Sequence, residues 1–204
     1  LFQDVFGETL LELMKTDDRV VGITPAMPLG CSMNIPMKEF PDRCFDVGIA
    51  EGHAVTFSAG MAKDGLIPFC NIYSSFLQRA YDQIVHDVAL TKQPVVFCLD
   101  RAGLVGEDGP THHGALDISY LRPIPNMQVL APRDELGLSM MLEYAVNQNC
   151  PIAIRYPRGC GTGTKDTASS RKAVQCGKAE FIKDGKNLIL MPLGATYPEA
   201  MKAV

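Results

Sequence analysis

Apolar and polar positions alternate with two periods along this 204-residue chain, and the alternation predicts its elements. Short apolar runs over 20–23, 43–47, 66–73, 94–99, 127–131 and 152–156 have the length and bounding turn residues of buried strands. Between them apolar residues recur at helical spacing near 1–16, 51–63, 75–91 and 134–147. The first of these segments carries Val5, Phe6, Leu10, Leu13 and Met14 on one side. In the third, Leu77, Tyr81, Ile84, Val85 and Val88 make a core stripe, while Phe76, Arg79, Gln83 and His86 fall on another face. Asp134, after Pro132 and Arg133, is placed to cap the last helix. Alternation of this kind predicts an α/β fold, a mostly parallel six-stranded sheet with helices on both faces.

The pattern breaks after residue 157, where Gly, Thr and Ser dominate and no apolar period survives. Residues 1–158 therefore read as one domain and 159–176 as a linker. Residues 177–204 read as the incomplete start of a second α/β domain, with 178–183 and 187–191 as a hairpin leading to a helix. With no initiator methionine and an unfinished helix at Val204, the chain is expected to be a fragment.

A net charge of −4 and the absence of a basic run exclude a nucleic-acid surface. No apolar stretch approaches the ~20 residues that a membrane span requires. The seven cysteines form no C-x-x-C pair, and Cys70 and Cys98 sit inside apolar runs, which suits buried free thiols in a reducing compartment. No ligand spacing for a metal appears, since the adjacent His112 and His113 make a poor chelate.

Three segments carry candidate chemistry. In DVGIAEGHAVTFSA, residues 46–59, Phe45, Val47 and Ile49 suit the end of a strand, and Ala54, Ser58, Ala59 and Ala62 suit a closely packed helix. Glu51 then stands at the turn after a parallel strand, where open α/β sheets bind ligands. A carboxylate there can also serve only the helix dipole, worth about 0.3–1 kcal/mol. Tyr73 and Phe76 flank the next strand-to-helix turn, where a flat ring could stack. The Gly-rich loop DRAGLVGEDGPTHHGALD, residues 100–117, carries Arg101, Glu107, Asp108, His112 and His113 after a third strand. Arg155 and Arg158 close the last strand, suited to a phosphate or carboxylate, or simply to the surface.

These blocks resemble the 1-deoxy-D-xylulose-5-phosphate synthases, thiamine-diphosphate enzymes of the transketolase group. The resemblance lies in ITPAM at 23–27, FPDRCFDVGIAEGHAVTFSAG at 40–60, IYSSFLQRAYDQIVHDVAL at 72–90, DRAGLVGEDGPTHHG at 100–114 and RYPRG at 155–159. Gly52 departs from it, standing where many members carry glutamine. The resemblance implies a pyrimidine-binding domain followed by the start of a C-terminal domain. It also implies a cytoplasmic, homodimeric transferase that condenses pyruvate with D-glyceraldehyde 3-phosphate, losing carbon dioxide, to feed isoprenoid, thiamine and pyridoxal synthesis. Glu51 would hydrogen-bond N1′ of the cofactor's aminopyrimidine, a role that asks for a carboxyl holding a proton. Tyr73 and Phe76 would line that ring. Arg101 and Arg158 would hold the substrate phosphate, with Arg79, Asp108 and His112 on bound substrates or intermediates and His112 catalytic beside Glu51. The Gly-Asp-Gly…Asn motif for the diphosphate and magnesium belongs to an N-terminal domain and has no counterpart here. The isolated chain is accordingly expected to be catalytically incomplete, with Glu51 open to water. A transketolase, the β subunit of a 2-oxo-acid dehydrogenase and a non-catalytic relic of such a domain are the alternatives.

Overall fold

The structure is a computed structural model that describes residues 1–164, 171 and 173–204. Helix α1 (Phe2–Thr16) leads into β1 (Val20–Thr24), α2 (Asn34–Glu39), β2 (Cys44–Asp46), α3 (Glu51–Lys63) and β3 (Ile67–Tyr73). A long helical segment follows: α4 (Ser74–Leu77), a 3₁₀ turn (Gln78–Ala80), α5 (Tyr81–Gln83) and a π-helix (Ile84–Ala89). The chain continues through β4 (Val96–Asp100), α6 (Asp117–Leu121), β5 (Gln128–Leu130), α7 (Glu135–Val146) and β6 (Ile152–Arg155), with α8 (Tyr197–Lys202) near its end.

The strands form one sheet in the order β2-β1-β3-β4-β6-β5, and every neighbouring pair is parallel. The central strands are buried on both faces, which is why they read as continuous apolar runs rather than alternating ones. On one face α1 presents Phe6, Leu10 and Met14, and α7 presents Leu138 and Leu142. On the other, Ala54, Val55 and Ala59 of α3 pack with Leu77, Ile84 and Val88. The small residues of α3 let it lie close to the sheet. The connection leaving β1 lies over the first face and that leaving β3 over the second, so the β1–β3 boundary is the switch point of the sheet.

Departures from the sequence reading have local causes. Strand β2 stops at Asp46, whose carboxylate accepts the Ala26 N–H at 2.7 Å and the Gly48 N–H at 3.0 Å. That turn, with Gly48 at φ +72°, throws Ile49 out into solvent instead of extending the strand. The helix expected over 75–91 is broken by a tight 3₁₀ turn and a wide π segment, yet Leu77, Ala80, Ile84, Val88 and Ala89 all stay on the sheet. Tyr81 leaves the stripe and rests edge-on against Tyr120 at 5.7 Å. Helices α2 and α6 were not expected; both are short and neither has a side-chain cap. Asp134 does cap α7, its Oδ1 accepting the Gly137 N–H at 2.7 Å.

Four of the seven free thiols are buried, and burial pushes those of Cys31 and Cys70 up to about 12. Cys160 and Cys176 are exposed, against the expectation of buried thiols. The linker expected over 159–176 lies partly outside the described residues. Among the described residues of 171–204 no strand forms, so the hairpin of 178–183 and 187–191 is absent and Phe181, Leu188, Ile189 and Met191 are exposed. A two-stranded ribbon with no third strand or helix to cover it is marginal in water. Among the described residues no helix is long and apolar enough to cross a membrane.

Candidate functional site

Parallel topology sends the connections after β2, β3, β4 and β6 to one edge of the sheet, and the candidate residues lie on those connections. Glu51 opens α3 and is buried, with 6% of its surface exposed. Its Oε1 accepts a short hydrogen bond from Nη1 of Arg79, which reaches over from the segment after β3. Arg79 carries its charge over the Phe76 ring, 4.7 Å from the centroid. Phe76 stacks on Tyr73 with centroids 5.5 Å apart and 22° between planes. His112 stands edge-on to both rings, at 5.2 Å from Phe76 and 6.4 Å from Tyr73.

Tyr73 is also met by Arg101, whose guanidinium carbon lies 3.8 Å from the ring centroid. Arg101 Nε donates to Asp108 Oδ2 at 2.9 Å, and Arg158 Nε lies 3.1 Å from the same oxygen. Every one of the eight candidate residues thus belongs to one run of contacts: Glu51, Arg79, Phe76, Tyr73, Arg101, Asp108 and Arg158, with His112 on the aromatic pair. One end is a carboxylate, the middle a wall of flat rings, and the other end two guanidinium groups sharing one carboxylate. Such a site can hold a planar nitrogen heterocycle beside an anion.

Glu51 was expected to be open to water in this chain. It is instead covered by Arg79, with Gln83 packed beside Gly52: a Cβ on Gly52 would stand 3.4 Å from Gln83 Cδ.

The loop that carries Arg101, Asp108 and His112 is closed by its own backbone. Gly103 and Gly114 exchange hydrogen bonds at 2.9 and 2.8 Å, and the Ala102 N–H reaches Tyr156 O at 2.9 Å. Gly114 permits this closure because a Cβ there would lie 2.4 Å from Ser74 Oγ and 2.5 Å from Arg101 O. His113 is a loop staple, its Nδ1 accepting the Val105 N–H at 3.2 Å, and Glu107 points to solvent. Arg155 is drawn off the site by buried Asp117, whose Oδ2 accepts from Arg155 Nε at 2.9 Å and Ser74 Oγ at 3.0 Å. His86 bonds to Asp82 on the exposed face of its helix.

The residues from 2 to 162 match the family model of the transketolase pyrimidine-binding domain. This chain belongs to that family. It is 59% identical to the 1-deoxy-D-xylulose-5-phosphate synthase of Phocaeicola vulgatus and 58% identical to that of Bacteroides fragilis. Each alignment covers 100% of this chain and 32% of the relative, so the chain spans about a third of the length of the curated relatives it matches. Among solved structures it is similar to a split-gene transketolase described as an inactive β4 tetramer, with a TM-score of 0.86 and 25% identity over 99% of this chain and 64% of that one. Transketolase from Campylobacter jejuni shares the fold, with a TM-score of 0.70 and 22% identity over 80% of this chain and 26% of that one.

Within this pyrimidine-binding domain, three contributors escaped the sequence reading. Gly30 is one: its carbonyl accepts from Arg101 Nη1 at 3.1 Å, and a Cβ there would lie 2.2 Å from the Tyr73 hydroxyl. Nothing in its local sequence marks it. Asp117 is another, a buried carboxylate holding the loop's exit. Asp100 is the third, legible only as a polar residue ending an apolar run.

Proposed function

We propose that this chain is the pyrimidine-binding part of a 1-deoxy-D-xylulose-5-phosphate synthase, which condenses pyruvate with D-glyceraldehyde 3-phosphate and releases carbon dioxide. The observation that carries the reading is the unbroken run from buried Glu51, through the Phe76–Tyr73 stack, to the Arg101–Asp108–Arg158 cluster. Residues 1–158 form the pyrimidine-binding domain, 159–176 the linker and 177–204 the start of the C-terminal domain. The assembled enzyme would be a cytoplasmic homodimer, and the cofactor's diphosphate and magnesium would be held by a domain other than this one.

The donor set fits thiamine diphosphate at its pyrimidine end: a buried carboxyl next to stacked aromatic faces suits an aminopyrimidine ring. When bound, the cofactor supplies the carbanion chemistry of decarboxylation and ligation. Glu51 would hydrogen-bond N1′ of the cofactor's aminopyrimidine. Arg79 now occupies Oε1, so it would have to swing away on its long stem and give up its place over the Phe76 ring; 58% of its side chain is exposed. Phe76 and Tyr73 exclude water from the ring. Arg101 and Arg158 hold the substrate phosphate, and Asp108 fixes the separation of the two guanidinium groups by taking both on Oδ2. His112, against the rings and bonded to Thr111 through Nδ1 at 3.0 Å, would exchange a proton with substrate oxygens.

A substrate panel on the complete enzyme tests the reading. Product from pyruvate and D-glyceraldehyde 3-phosphate is expected, and turnover only with ketose and aldose phosphates would assign the chain to a transketolase instead.

A further inference from the structure

The mechanism above leaves one buried carboxylate at the site without a task. Asp100 ends β4 with 1% of its surface exposed. Its Oδ1 accepts the Arg101 N–H at 2.6 Å. Its Oδ2 lies 3.3 Å from Arg101 Nη1, outside hydrogen-bonding geometry, and has no hydrogen-bond partner. Arg101 itself sits at φ +61°, a left-handed conformation that L residues with long side chains seldom adopt. That conformation folds the side chain back over the end of the sheet, where it meets Tyr73, Asp108 and the Gly30 carbonyl.

An uncharged asparagine would cap the Arg101 N–H equally well, without burying a charge. Burial in fact pushes the Asp100 carboxyl up to about 7 even though a guanidinium lies beside it. Bearing that cost makes sense where the charge acts on a neighbour that functions.

We propose that Asp100 is a positioning residue for Arg101, holding its left-handed backbone and drawing its guanidinium into the place where it receives the phosphate of the acceptor substrate. The proposal rests on the reading of Arg101 as a phosphate ligand.

The test is steady-state kinetics on the complete enzyme, with Asp100→Asn and Arg101→Ala compared with the parent. Each is measured with D-glyceraldehyde 3-phosphate and with unphosphorylated D-glyceraldehyde as acceptor. Asp100→Asn should raise KM for the phosphorylated acceptor ~10–100-fold, the loss expected when a displaced guanidinium weakens one hydrogen bond to the substrate phosphate. KM for pyruvate, kcat and the constants for unphosphorylated acceptor should change less than about twofold, because Asp100 acts only through the arginine. A crystal structure of Asp100→Asn should show the guanidinium displaced from the Tyr73 ring. If Arg101→Ala raises that KM and Asp100→Asn does not, the positioning role is overturned while Arg101 keeps its assignment. If neither does, the phosphate reading of Arg101 fails and takes the proposal with it. Asp100→Ser, which also keeps an acceptor for the Arg101 N–H, is read in the same way. Loss of folding in both Asp100 variants would mark the residue as structural and overturn the proposal.

Discussion

Arg79 closes over Glu51, pairing its guanidinium with the one buried carboxylate that begins α3. The two residues come from connections after different strands, so their contact ties together the β2 and β3 exits of the sheet. Exposed ion pairs contribute little, and the solvated arginine discounts this one, but the carboxylate side is buried. A double-mutant cycle with Glu51→Gln and Arg79→Gln, read by urea unfolding of the chain, should give a coupling energy of about 1–2 kcal/mol. Strict additivity would mean that the contact contributes nothing to the fold.

The same pair has a consequence for activity. Glu51→Ala in the complete enzyme should reduce proton exchange at the cofactor's reactive carbon by about 10²–10⁴-fold, the usual range for general acid–base assistance. The fold should persist, because the small residues of α3 rather than Glu51 pack the helix on the sheet. Exchange at the parental rate would reduce Glu51 to a carboxylate serving only the helix start.

Asp100 gives the chain a pH-dependent stability with a definite sign. Its carboxyl is raised from 3.8 to about 7 by burial and by Asp108, against the opposing pull of Arg101 and Arg158. The folded state therefore binds this proton more tightly than the unfolded chain does. Stability from this group is full below pH ~4, falls through the window up to ~7 and levels off above it. A shift of that size corresponds to a cost on the order of 4 kcal/mol at pH 8. Asp100→Asn should be more stable than the parent at pH 8, by calorimetry, and the gap should close as pH falls towards 4. A gap that stays constant with pH would show that the carboxyl does not titrate in this range.

The fold was more legible than the site, for physical reasons. The central parallel strands announce themselves as apolar runs, because burial on both faces leaves few other choices of residue, and α1, α3 and α7 show as periodic segments. What failed was local. Ile49 looked like a strand residue until the Asp46 carboxylate turned the backbone away. Phe181 and its apolar neighbours looked like a hairpin, but pattern alone cannot supply the surface that such a ribbon needs. At the site, residue types on successive strand exits pointed to Glu51, Tyr73, Phe76 and Arg101. Of the partners around them, Gly30 and Asp117 act through contacts far apart in sequence, which leave no trace at sequence spacing, while Asp100 adjoins Arg101 but reads only as the polar end of an apolar run.

Asp117 is the clearest structural member of this edge. It binds Arg155 and Ser74 from a fully buried position and touches none of the eight candidate residues through a hydrogen bond or ion pair in this structure. Asp117→Ala should therefore cost about 3–5 kcal/mol, as expected when one partner of a buried pair is removed. Thermal unfolding of the chain measures this. A loss below ~1 kcal/mol would mean that Arg155 finds another partner.

Gly30 provides the sharpest separation of site from fold. A methyl group there would stand 2.2 Å from the Tyr73 hydroxyl, so the ring must tilt or the loop after β1 must shift. The obstacle is the outer end of a side chain, not backbone: the three nearest atoms all belong to the Tyr73 ring and hydroxyl. Gly30→Ala should thus keep most of its stability, with a loss within about 1–3 kcal/mol as for other overpacking changes. Its effect on the site should be larger. Tyr73 touches both Phe76 and Arg101, and tilting it disturbs both the aromatic stack and the seat of the guanidinium. In the complete enzyme, cofactor affinity and KM for D-glyceraldehyde 3-phosphate should therefore worsen together, whereas Arg101→Ala should affect mainly the latter. If Gly30→Ala alters only one of the two constants, Tyr73 does not couple the rings to the arginine, and the continuous run of contacts has no functional meaning at that point.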